Sequence, residues 1–222
     1  MSERITETRE LGEFSSISMR GIGKLFVKQG KAQEVTIEGD KVAISRITTN
    51  VRDGKLVIDV GRDWVEKISA GFDFLSSQEI RINITVKELN ELEVAGAAEI
   101  EASDIKAGDF NLKLIGASNL KVTNFRADTL RTELPGAGRV RIDGKVKDQT
   151  VTLAGAGNFS GHDLESKTAK VTLSGVGSAQ LWVTEELDVT IAGVGSVEYF
   201  GSPAIKQSVT MLGKVSSLGE KK

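Results

Sequence analysis

The sequence predicts an all-β chain: a right-handed parallel β-helix of about seven 20-residue rungs, with a β-rich N-terminal section that interrupts or caps the helix. Three observations carry this expectation. One phrase, an apolar residue, a spacer and a glycine, recurs seven times, with glycines at Gly96, Gly116, Gly136, Gly155, Gly175, Gly193 and Gly213. The copies align column by column in an in-out-in pattern, the mark of a strand with one buried face. No 3.6-residue period runs inside them, and a composition of 24 Gly, 2 Pro and 5% aromatics favours strands and turns.

Residues 1–13 are polar and read as an N-terminal tail, and residues 14–218 as one β-helix domain. Within it, residues 14–91 hold a diverged first rung around Met19 to Val27 and a set of capping strands. Glu34 to Glu38, Leu56 to Val60 and Ile80 to Val86 alternate apolar and polar residues, with Gly39-Asp40 and Asp53-Gly54 as turn signals. The long connection between the last two carries Trp64, Phe72, Phe74 and Leu75. A bare rod end exposes strand edges and apolar side chains, so these four are read as its cover, with a partner surface as the alternative.

The regular rungs occupy residues 92–218. Their first inward column reads Leu92, Leu112, Thr132, Val151, Val171, Val189, Val209, and their second Val94, Leu114, Leu134, Leu153, Leu173, Ile191, Met211. Past each glycine come a small apolar column, from Ala97 to Val194, and an apolar one, from Ile100 to Val197. A closing column reads Ile105, Phe125, Val146, Leu164, Leu187, Ile205. The glycines are the corners between strands. Three short strands per copy cannot bury themselves alone, but stacking pairs their backbones and makes a continuous core about 34 Å long at strand spacing. Leucine-rich repeats share the rung length but not the Leu and Asn pattern. The charged residues 219–222 are expected to protect the far end.

With 29 basic and 31 acidic residues the chain has no charge bias toward nucleic acid. There are no cysteines, hence no disulfides or thiolate metal sites. No run reaches the roughly 20 apolar residues of a membrane span, and the N-terminus lacks a signal-peptide core. An envelope location, periplasmic or surface, therefore requires an export signal removed ahead of Met1; otherwise the chain is cytoplasmic.

No residue set demands catalysis, a cofactor or a metal. The pairs Gly136/Gly138, Gly155/Gly157, Gly175/Gly177 and Gly193/Gly195 lack the third glycine and the strand-to-helix step of a nucleotide loop. His162 is the single histidine; beside it Asp163, with Asp104, Asn124 and Asp143, reads as a ladder of turn residues rather than a site. Arg131, Glu133 and Arg139 resemble the charged clusters of polysaccharide-cleaving β-helices, but rungs without insertions give a cleft no walls. The outward Thr152, Thr172 and Thr190 form a flat, weakly charged strip, the first candidate for homo-oligomer contact.

The repeated Leu/Ile-x-Gly-x-Gly phrase, preceded by Val35-Thr-Ile-Glu-Gly39-Asp40 and Asp53-Gly54-Lys-Leu56-Val-Ile58, resembles the bacterial head GIN domain family, DUF2807, from about Phe14 to Leu218. The resemblance implies a β-helical domain of envelope proteins described as autotransporter adhesins, with no catalytic residues to carry over. The expected function is a non-enzymatic adhesion or interaction module presenting rigid faces to a cell-surface glycan or protein. A self-assembling scaffold similar to bactofilins is the alternative, and a polysaccharide-acting enzyme the third reading.

Overall fold

The computed structural model describes residues 4–61 and 80–221. It is a parallel β-solenoid of about six turns, with the chain's strands linked into one sheet system. Strand β2 (Ser16–Gln29) bends at its glycines and pairs in parallel with β7 (Glu91–Ser103) along its whole length, from Ser16 on Glu91 to Lys28 on Ser103. The rod continues through β8 (Lys106–Gly116), β9 (Asn119–Leu134), β10 (Arg139–Leu153), β11 (Asn158–Leu173) and β12 (Val176–Ile191), and ends in β13 (Val194–Phe200), β14 (Ala204–Val209) and β15 (Gly213–Ser217).

The N-terminal section adds a rung out of chain order. Strands β5 (Lys55–Asp59) and β6 (Arg81–Val86) pair in parallel with the two halves of β2, so a later segment lies outside an earlier one. Antiparallel strands finish that end: β4 (Thr48–Arg52) on β5, β3 (Glu34–Asp40) on β6, and β1 (Arg4–Thr8) on β3. The Asp53-Gly54 signal is a hairpin turn with both residues at positive φ. Asp40 caps the short helix α1 (Lys41–Ile44), accepting from the amides of Val42 and Ala43. Residues 4–8, expected as part of a polar tail, are a strand because β3 offers them a free edge.

The two inward columns that start each rung are buried from Leu92 to Val189 and from Val94 to Ile191. At the corners, a Cβ on Gly96, Gly116, Gly136, Gly155, Gly175 or Gly193 would overlap the carbonyl oxygen of the glycine one rung below. The register corrects several of the expected columns. Gly213 pairs with Gly195, not Gly193, so the seventh copy slips by two residues and leaves Val209 and Met211 exposed. The post-glycine column, with Ala97, Ala117 and Val176, faces solvent, and the bend turns the next residue inward, as at Ala98 and Ser118. In the closing column Gly144, not Val146, stands between Phe125 and Leu164, and Leu187, with Ile205 next to it, stands over Ala169 and so belongs with Phe110, Leu130 and Gln149. In the C-terminal tail, Lys221 reaches back to Asp163 of β11.

Candidate binding trough

Because strand residues alternate, every second side chain of β3, β6, β2, β7 and β9 points outward. Thr36 is in register with Asn83, Asn83 with Phe26, Phe26 with Glu101, and Glu101 with Lys121. Parallel to this row, Glu34, Thr85, Lys28, Ser103 and Thr123 form a second one. Both rows, with Glu38, line a single cavity of about 500 Å³. Outward side chains from these five strands fence one recess where the antiparallel and parallel strands join, a trough open to solvent. Its volume is in the usual range for ligand sites.

The floor is organised by Asn83, whose Nδ2 donates to Glu38 Oε1 at 3.0 Å and Thr36 Oγ1 at 3.4 Å. Phe26, half-buried, is the one aromatic in the lining. Among the described residues, no side-chain hydrogen bond or ion pair engages Lys28, Lys121, Glu34 or Glu101. Two lysines and three glutamates give the lining a formal charge of 2 − 3 = −1. Polar, concave and held by strands paired on both sides, the trough can bind a polar ligand without rearranging.

A second cluster lies on β11. Ser160 Oγ is 2.8 Å from His162 Nδ1, and His162 Nε2 is 3.0 Å from Asp163 Oδ2. The order resembles a serine-hydrolase relay, but Asp163 is already committed. Lys221 Nζ donates to its Oδ1 at 2.8 Å and to the His162 carbonyl at 2.7 Å, and Arg141 reaches its Oδ2 at 3.2 Å. The hydrogen bond from Lys221, aided by the charges of His162 and Arg141, holds the Asp163 carboxyl below the usual carboxylate range against partial burial. Lys221 also sits over the rings of Phe200 and Trp182, at 4.9 and 5.8 Å from their centroids. The cluster is a latch for the end of the chain.

Asp143 does not join it; its Oδ1 accepts from the Asn124 amide at 2.8 Å, while the Asn124 side chain donates to Asp104 at 2.7 Å. Asp104, Asn124 and Asp143 thus form the ladder of turn residues expected from the sequence, but Asp163, expected in it, is held by Lys221 and Arg141 instead. Glu133 pairs with Lys113 at 3.4 Å, and Arg131 and Arg139 lie on successive strands, β9 and β10. Thr152, Thr172 and Thr190 are in register and half-buried on the outer face. Trp64, Phe72, Phe74 and Leu75 lie outside the described residues. The trough itself escaped sequence reasoning, because its strands come from three separated stretches; the one available signal was an outward-phased Phe26.

A family model described as "Putative auto-transporter adhesin, head GIN domain", DUF2807, matches residues 13–203. No curated protein matches the chain. Among solved structures, a "putative adhesin" from Bacteroides fragilis aligns with a TM-score of 0.87 at 21% identity, covering 97% of each chain. A second "putative adhesin", from Parabacteroides distasonis, aligns with a TM-score of 0.69 at 17% identity, covering 98% of each. A "putative lipid binding protein" from the same species gives 0.67 at 21% identity over 97% of this chain and 96% of its own. At these identities the likeness is one of fold.

Proposed function

Because the chain belongs to the head GIN domain family, DUF2807, we propose that it is a non-enzymatic adhesion module of the bacterial cell envelope that binds a glycan or protein in the trough between its N-terminal strands and its first rungs. The single observation that supports this reading is the concave, polar face, about 500 Å³ in volume, built on five strands. Adhesion needs a surface that stays in place when pulled, and side chains on paired strands are held more firmly than side chains on loops. No helix among the described residues is long and apolar enough to cross a membrane.

The test is adhesion itself. Beads carrying the chain are expected to attach to bacterial surfaces or to surfaces coated with extracted envelope glycans or proteins, and Ser103→Trp, which fills the trough, is expected to abolish attachment with unchanged folding. Beads that attach to none of these surfaces, or that attach equally well with Ser103→Trp, would overturn the reading.

A further inference from the structure

We infer that the trough is a saccharide site whose ligand is an extended, uncharged oligosaccharide laid across the strands. The inference rests on the adhesion reading only for its docking point, and four observations carry it.

The column that holds Phe26 carries Asn83 on one side and Glu101, Lys121 and Arg141 on the following rungs, so the ring is an exception on an otherwise polar line, and it lies in the cavity. A half-buried ring in a polar hollow offers the flat C–H face of a pyranose a surface to stack on, since those hydrogens meet the negative face of the aromatic quadrupole.

Sugar hydroxyls both donate and accept, and they need partners of both kinds. The lysines at 28 and 121 supply donors, the glutamates at 34 and 101 supply acceptors, and none of the four is engaged by another side chain among the described residues. Hydrogen bonds to such charged groups are the stronger kind.

The net charge of the lining, −1, repels a polyanion. A peptide is disfavoured for a different reason: the trough lies inside the sheet, between paired strands, so no free edge is available for strand addition, and Phe26 is the one large apolar side chain the lining exposes, short of the clustered anchors of a protein interface.

Finally, five strands span about 19 Å at their usual spacing. One pyranose unit of an extended chain advances by nearly one strand spacing, so about four rings fit across the face, with one of them over Phe26.

The proposal is tested with the full chain and a panel of neutral di- to hexasaccharides of β-linked glucose, mannose and N-acetylglucosamine and α-linked glucose, beside heparin and polygalacturonate. At least one neutral series is expected to bind, with affinity rising up to about four units and little affected by salt. Phe26→Ala is expected to weaken it about tenfold and Phe26→Tyr to preserve it. Glu101→Gln, on an exposed position that cannot upset folding, is expected to weaken it as well. Failure of every neutral series, preference for the polyanions, or binding indifferent to both Phe26→Ala and Glu101→Gln overturns the assignment. If beads still adhere, resist periodate oxidation of the target surface and ignore the oligosaccharides, the ligand is a protein: the saccharide inference falls and the adhesion reading stands.

Discussion

A corner glycine in this rod answers to the rung beneath it. At Gly175 an added Cβ would overlap the Gly155 carbonyl oxygen, a backbone atom that can move only by disturbing its own rung. Gly175→Ala is therefore expected to cost about 2–4 kcal/mol in urea unfolding. Gly12, with open space around it, is expected to accept the same change at no measurable cost. Thr132 shows the opposite case. It interrupts an aliphatic column, fully buried, and its Oγ1 has no hydrogen-bond partner among the described residues. Thr132→Val keeps the shape and removes the stranded hydroxyl, so it is expected to stabilise the fold by about 1 kcal/mol, read as a higher urea midpoint at unchanged slope. The spacing of the glycines was legible in the sequence because a repeat multiplies the signal. The slip at Gly213 was not, because the same spacing is compatible with pairing to Gly193 or to Gly195, and only the register decides.

At the scale of the element, turns and the chain end hold neighbouring rungs together. Asp104 and Asn124 occupy left-handed conformations, at φ 58° and 54°, and are linked by side-chain hydrogen bonding. Asn124→Ala loses that link and places a residue poorly suited to positive φ in the turn; a loss of about 2 kcal/mol in chemical denaturation is the expected result. The turn ladder could be read in advance since Asx residues at equivalent positions have one common use. The latch could not, as Lys221 and Asp163 are distant in sequence and no periodicity links them. Its consequence is dependent on pH. The Asp163 carboxyl is lowered in the folded chain, so its contribution is present above the ordinary carboxylate pKa and is lost as pH falls through the lowered one. With Asp163 more than a third exposed, the pair contributes no more than about 1 kcal/mol. Lys221→Met is expected to lower the melting temperature slightly at neutral pH, and the difference from the parent to vanish under strongly acidic conditions; a difference constant with pH would assign Lys221 a packing role over Phe200 instead.

The whole molecule is asymmetric, and its stability should follow. At one end β5 and β6 cover β2, and the antiparallel β4, β3 and β1 complete the sheet. That arrangement positions the trough, and the sequence showed its strands but not their order, because an outer rung that follows an inner one in the chain leaves no trace in a hydrophobic pattern. At the other end β14 is exposed along its whole length, and Ile205, Val209, Met211 and Leu212 lie in water instead of under another rung. In a stack whose rungs touch only their neighbours, a rung with one neighbour opens at lower free energy than one held from both sides. The middle rungs from β9 to β11 have buried columns on every side and rung partners above and below. Amide exchange is thus expected to be fastest, by sub-global opening, in β14 and β15, and to reach the global unfolding free energy only in β9 to β11. The capped end should protect β2 nearly as well as the centre, since its amides are bonded to β5, β6 and β7. Hydrogen exchange resolved by strand decides it. Protection falling equally toward both ends would mean that the antiparallel strands do not act as a cap, and that the trough they help form is less rigid than a fixed docking face requires.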